Sequence, residues 1–548
     1  MNKIISTIIG FIFFGSIASA QLTEFSQGDI LSAGAMNQNF KYLEDRIAGI
    51  NETTVDCGTD GNGAGINEAI RKGFNSIVIK GICKENISFN GSTGNSIRLL
   101  KLRGANNDSS LDKIVDNSSY SDHVLKFNYG GMLVTIDNLT ISGGDRGITT
   151  WMNIGIRIRN SKIEGYKNRG LTIQGSSVLE AENLVIDGSY SGASSEEQGL
   201  RMWGESNAYI DNLTVSNNQN YGITLFLSSI ETNGILNLSN NSRAINVGKG
   251  ASFTTKSKIN ISGSSNRAIN VSQGLFQQWD GTLDVTNTSG IIFRSWQGKI
   301  QMNHLKANGL DSNQDELLSF DKSLCDLRNI DLKDNPKTLL EFNESHCYVD
   351  NITISGSKSN GLELSRHSNL TLRNALISNN DGHGVEVKRN SYINISNSII
   401  KENNENGIDV SRNSYIDLYS STIKSNKKNG VSVSHNSTLD FGGENSDTGT
   451  VIELNEGNGV DVYNQVIVEF DGAPVTLKSN TGKQIQFGAN TETYIPDSTL
   501  NTTSIDCWYR SSQDPNDSSK TLNSGYPIIG FENKSGFSGT ISSNCRVY

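Results

Sequence analysis

The sequence predicts an all-β solenoid, a parallel β-helix, and three observations carry that prediction. Gly361, Gly384, Gly407 and Gly430 lie 23 residues apart, and each opens one phrase: GLEL, GVEV, GIDV, GVSV. A fixed period of twenty-odd residues marks a fold whose units bury their apolar faces only against neighbouring units. The phase extends upstream through Gly147, Gly170, Gly199, Gly222, Ala244, Ala268 and Gly290, and downstream to Gly459. After each glycine, apolar and variable residues alternate, as at Leu362/Leu364 and Val385/Val387, which is the period of a half-buried strand. Two further short strands follow in each unit (Ile393/Ile395, then Ile399), leaving no room for a helix. With coils of 22–24 residues the chain holds about 16–18 of them, stacked about 4.8 Å apart in a rod.

A second column supports the register. Four residues before the glycine places stand Asn218, Asn240, Ser264, Thr286, Ser357, Asn380, Asn403, Asn426, Asn455 and Asn480. Inward amides at the rung spacing can bond up and down the axis and satisfy backbone groups at a bend.

The ends of the chain divide it further. Residues 1–20 read as a secretory signal: Lys3, an apolar run from Ile4 to Ile17, then Ala18-Ser19-Ala20. That run is too short to span a bilayer. The mature chain is expected to be secreted, to the extracellular space, periplasm or cell surface, without membrane insertion. Residues 21–55 form a leading segment in which Met36, Phe40, Leu43, Ile47 and Ile50 make one apolar seam over 32–50, a candidate oligomerisation helix. Residues 62–74 predict a short amphipathic helix that covers the first coil of a solenoid spanning 56–485. Residues 486–548 lose the repeat and predict a small C-terminal cap. Six cysteines fall into three local couples, Cys57/Cys83, Cys325/Cys347 and Cys507/Cys545. Fifteen pairings are formally open to six cysteines, and closure of short loops favours these three. With 47 basic and 57 acidic residues the net charge is −10, which argues against nucleic acid as a partner.

The NG-[IV]-x-[IV] phrase over residues 56–485, with VDCGTDGNGAGINEAIRKGFNSIVIKGICKENISF at its start, resembles the right-handed parallel β-helix proteins of the pectate-lyase-like superfamily, exported bacterial type. The resemblance implies a right-handed coil and a cysteine pair bracketing the start of the solenoid. It does not fix activity, because such folds carry lyases, hydrolases, epimerases and non-catalytic surface proteins. Gly382-His383-Gly384 matches the GHG of polygalacturonases and makes His383 a catalytic candidate. Inverting hydrolysis also needs two carboxyl groups. The preceding coils offer Thr338 and Asn360 instead, and the chain contains no Asp-Asp. The Asp-Pro-His-Glu of alginate epimerases is absent as well.

Outward columns supply the remaining candidates. In the C-terminal half, the residue two after the glycine reads Glu341, Glu363, Glu386, Asp409, Ser432, Asp461, with Arg366, Lys388, Arg389, Arg412 and His435 nearby. The N-terminal half is basic and aromatic instead: Arg146, Arg169, Arg243 and Arg267 one before the glycine, Arg201 two after it, and Trp151, Trp203 and Phe226 four after it. Aromatic faces suit sugar rings, and guanidinium forks suit uronate or sulfate groups. The insertion DGSYSGASSEEQ brings Asp187, Glu196 and Glu197 to the flank of this patch, a candidate Ca²⁺ set. Tyr221, between arginines, is the candidate proton carrier of a β-eliminating lyase. The expected function is binding, with cleavage left open, of an anionic polysaccharide or cell-surface glycan. Its competitors are a non-catalytic adhesin-like rod and a lyase; among enzymes a lyase is favoured over a hydrolase.

Overall fold

A computed structural model describes residues 50–90, 98–128, 130–190, 192–309, 315–442, 449–470, 474–488 and 491–495, and short strand segments from there to residue 547. Residues 52–548 form one unit; the signal, the apolar seam over 32–49 and Cys545 lie outside the described residues.

Within that unit every paired strand is parallel, and the chain is an all-β solenoid. Each coil has one strand after the glycine place and a return path of one bent strand or two short ones. Val385–Lys388, Tyr392–Ser396 and Ile399–Lys401 make one such coil. The strands after the glycine stack on each other alone, Leu362↔Val385↔Ile408↔Val431↔Val460, and form one continuous face. Parallel pairing runs past residue 485, with Ile485, Ile505 and Ile541 on successive rungs.

The corners explain the composition. Residues with positive φ recur at the bends, singly or in adjacent pairs such as Arg389 and Asn390, and asparagine fills many of them: Asn160, Asn183, Asn212, then Asn329, Asn351, Asn374, Asn397. Asparagine tolerates this left-handed conformation better than other side chains. The repeat glycine has a different cause. A Cβ on Gly384 would lie 2.6 Å from the Gly407 carbonyl oxygen and 2.6 Å from Ile400 Cγ2, so close approach of coils demands its absence.

One phase assignment needs correction. Ile269 pairs with Phe293 and Phe293 with Leu318, so Ile292, not Gly290, takes the glycine place. From residue 244 to 339 that place is filled by the buried Ala244, Ala268, Ile292, Leu317 and Leu339. The same stretch carries a ladder of Phe253, Phe276, Phe293, Phe320 and Phe342, with ring centroids 5.3–5.6 Å apart.

The amide ladder is present and shifted at two rungs. Asn380, Asn403, Asn426, Asn455 and Asn480 are buried, and each Nδ2 of the first four donates to the next Oδ1 at 2.9 Å. Asn218 donates to Asn241 at 2.8 Å, so Asn241 rather than Asn240 is the inward residue. Thr288, not Thr286, is buried in the next coil but one.

Before the coils, Ile66–Arg71 is a helix that buries Ile66, Ala69 and Ile70. Its first amides are held by Glu85, which accepts from Ile66 N–H and Asn67 N–H at 2.9 Å each. Such anion capping satisfies donors that the helix itself leaves open. Disulfides join Cys57 to Cys83 and Cys325 to Cys347, each across adjacent rungs.

Candidate functional site

Because the strands after the glycine place stack in register, each outward position on them becomes a column along the rod. The residue before the glycine place gives His123, Arg146, Arg169, Gln198, Tyr221, Arg243 and Arg267 on consecutive rungs. All are half-buried, between the exposed corner and the buried glycine place. Two residues after that place, Arg201 and Arg294 share a column with threonines and asparagines. At the strand ends Trp151, Gln174, Trp203 and Phe226 are neighbours in that order. Thus the structure brings together all eight binding candidates named from sequence.

Aromatic surface on this edge is open to solvent: Trp151 and Trp203 are each 43% exposed and Phe226 39%. Trp203 meets Phe226 edge-to-face at 6.0 Å, and the Arg201 guanidinium lies 5.0 Å above the Trp203 ring. The arginines crowd one another. Burial, then Arg201 and Arg146, pulls the Arg169 pKa down to about 10. Burial and Arg146 likewise lower Arg201, while burial, Arg294 and Arg243 lower Arg267. The buried Nε atoms of Arg243 and Arg267 have no hydrogen-bond partner. Positive charge stands here in excess of its local counter-charge, as an anion site requires.

Tyr221 is tied down. Arg243 Nη1 donates to its hydroxyl oxygen at 2.6 Å, and the guanidinium sits 5.0 Å from its ring.

The inserted loop folds back on the preceding coils: Tyr190 stacks on Tyr120 at 4.3 Å, and Ser194 N–H donates to Lys167 O at 3.0 Å. Its three acids do not converge. Asp187 pairs with Lys162 at 3.4 Å and accepts from Asn217 Nδ2 at 2.9 Å. Glu196 is exposed, whereas Glu197 is fully buried. One Glu197 oxygen accepts from Gln219 N–H at 3.0 Å and the other, Oε1, has no partner. Burial, outweighing that bond, raises its pKa to about 7, with Asp187 adding to the rise. Among the described residues no three His, Cys, Asp or Glu side chains are placed to hold a metal. The expected calcium set is therefore dispersed, because the loop packs inward where a cation site would need it open.

His383 stands far along the rod, in a column with Asn360, Asn406, Asn429 and Asn458. Its Nδ1 accepts from Asn406 N–H at 3.2 Å, as Asn360 Oδ1 accepts from His383 N–H at 2.9 Å. It takes an asparagine's place in an outer ladder.

Three residues escaped the sequence reading. Arg294 and Trp296, the latter 38% exposed, belong to the patch but were hidden by the two-residue phase slip at Gly290. His123 heads the arginine column, its Nδ1 2.8 Å from Asp122 and its Nε2 3.4 Å from Arg146. Burial lowers its pKa, against Asp122, and Arg146 lowers it further.

Residues 289–446 and 341–502 match the family described as right handed beta helix region. No curated protein sequence matches the chain significantly. Among solved structures, the A-module of mannuronan C-5 epimerase AlgE6 from Azotobacter vinelandii aligns at 11% identity, covering 76% of this chain and 93% of that one. Its TM-score is 0.17. The parallel rungs make the described chain a parallel β-solenoid, and over residues 289–502 it matches the right handed beta helix family.

Proposed function

We propose that the N-terminal half of the glycine-side face binds an anionic polysaccharide lying along the rod. The observation that supports this is the placement of Arg146, Arg169, Arg201, Arg243 and Arg267 on rungs in strict register beside exposed Trp151, Trp203 and Phe226. Rungs repeat every 4.7–4.9 Å or so, close to the length of one sugar in an extended chain. Carboxylate or sulfate groups along the polymer would meet guanidinium forks while sugar faces lie on the aromatic edge.

Calorimetry with polygalacturonate, alginate and a sulfated glycan, against a neutral glucan, tests the reading. The anionic polymers should bind and weaken with salt. Removing two charged contacts in Arg169→Ala/Arg201→Ala should lower affinity at least roughly tenfold, about 1.4 kcal/mol. Equal binding of the neutral glucan, or unchanged affinity in the variant, sinks it. Following reducing and unsaturated ends in the same samples separates a binder from a lyase using Tyr221. A purely spacing rod is the second reading, favoured by the insertion-free 23-residue coils from Gly361 to Gly430.

A further inference from the structure

The face that carries the arginines does not end with them. Its column two residues after the glycine place runs unbroken through sixteen rungs, from Lys126 to Gln486. On the first eight rungs the face bears Arg146, Arg169, Arg201, Arg243, Arg267 and Arg294. On the last eight it bears Glu341, Glu363, Glu386, Asp409 and Asp461. The two halves are oppositely charged, and each is crowded with its own sign. Burial, then the neighbouring Glu316, with Glu363 adding, raises the pKa of Glu341. Lys388, 2.9 Å from Glu363 and 2.8 Å from Glu386, is the one strand cation among these acids. Arg366, Arg389 and Arg412 stand beyond the strands, at the corner.

We propose that two copies of this chain pair through this face with their rods antiparallel, about a two-fold axis along the strands between the rungs of Arg294 and Ser319. That axis sets each rung of one copy against its mirror in count on the other. Arg201 then faces Asp409 at the same strand position, while Arg243, Arg267 and Arg146 lie on the rungs facing Glu363, Glu341 and Asp461 but three residues, about 10 Å, nearer the strand start, so that their long side chains lean across to reach them. Such an isologous interface is self-complementary. Sixteen rungs of about 4.8 Å, with strands about 13–20 Å long, offer on the order of 1,000 Å² per partner, above what a stable dimer needs. Each half relieves the other's like-charge crowding. The inference does not rest on glycan binding; a polyanion would compete for the same arginines and release the dimer.

Sedimentation of the full chain at micromolar concentration tests it. A dimer is expected at low salt, giving way to monomer near 1 M, where the screening length is about 3 Å. Glu341→Arg/Glu363→Arg should abolish the dimer, and adding Arg267→Glu/Arg243→Glu to that chain should restore it by exchanging the charges of the facing coils. A monomer at low salt overturns the proposal. So does a dimer untouched by the first variant, as one made through residues 32–50 would be, and so does failure of the four-fold swap to rescue.

Discussion

Asn403→Leu is expected to destabilise the coils around it by about 4 kcal/mol, because it leaves two buried donors without an acceptor, at roughly 1–3 kcal/mol each. Asn403 Oδ1 accepts from Asn380 N–H at 3.2 Å and from Asn380 Nδ2 at 2.9 Å, and none of these atoms can reach water. Its own Nδ2 holds Asn426 at 2.9 Å, so the rung below also loses a donor. Leucine fills the volume and makes none of these bonds. The neighbouring Asn404 donates outside the core to Asp381 at 2.7 Å, and its replacement by leucine should cost less than about 0.5 kcal/mol. A solenoid opens locally rather than all at once, so amide exchange over residues 380–430 is the proper readout. A loss below about 1 kcal/mol at Asn403 would show that the ladder is passenger rather than support.

The second large effect is a pH dependence centred on Glu197. Its folded pKa, about 7, lies above the ordinary value of 4.5. The folded chain thus holds this proton more tightly than the unfolded one. The resulting stability is complete below about pH 4.5 and is lost as pH rises through about 7. At about 1.4 kcal/mol per unit, discounted for relaxation of the loop, the loss amounts to about 2–3 kcal/mol. Glu197→Gln keeps an acceptor for Gln219 N–H and never ionises. It should flatten the stability curve between pH 5 and about 8 and exceed the wild type at the upper end. Exchange of amides in the 188–197 loop would register both changes; an identical slope in wild type and variant removes Glu197 as the cause. The loop borders Arg169 and Tyr221, whose N–H donates to the Glu197 carbonyl at 3.2 Å, so its order bears on the charged face as well.

Most of this architecture was legible in the residues because one contact repeats. A Cβ at Gly361, Gly384, Gly407 or Gly430 would strike the next coil, so the sequence prints a glycine wherever coils touch most closely. Where Phe253, Phe276 and Phe293 fill the interior, larger residues take that place and the printed period fades. Gly290 was misphased there for that reason, and Arg294 and Trp296 were lost with it. Periodicity located the outward arginines and aromatics because strand alternation dictates side. It could not show which way an inserted loop folds. Asp187, Glu196 and Glu197 share a stretch of sequence, yet one pairs with a lysine, one faces solvent and one is sealed inside. His383 misled for the opposite reason, since a short motif resembled a catalytic one while its ring nitrogen serves as one more acceptor in an asparagine column.

That outer column has a chemical consequence. Asn360, Asn406, Asn429 and Asn458 each precede a glycine, the pairing most prone to deamidate, since the glycine nitrogen can attack the side-chain carbonyl and close a succinimide. Here every such nitrogen is committed: Gly361, Gly407, Gly430 and Gly459 donate their N–H to the carbonyls of His383, Asn429, Asn458 and Lys483 at 2.8–3.0 Å. The coil itself therefore acts as a preservative. Mass spectrometry after prolonged incubation should find these four sites intact in folded protein and converted to aspartate and isoaspartate in denatured protein, with equal ageing in both contradicting the idea. For this chain, staying wound is also what keeps its covalent structure young.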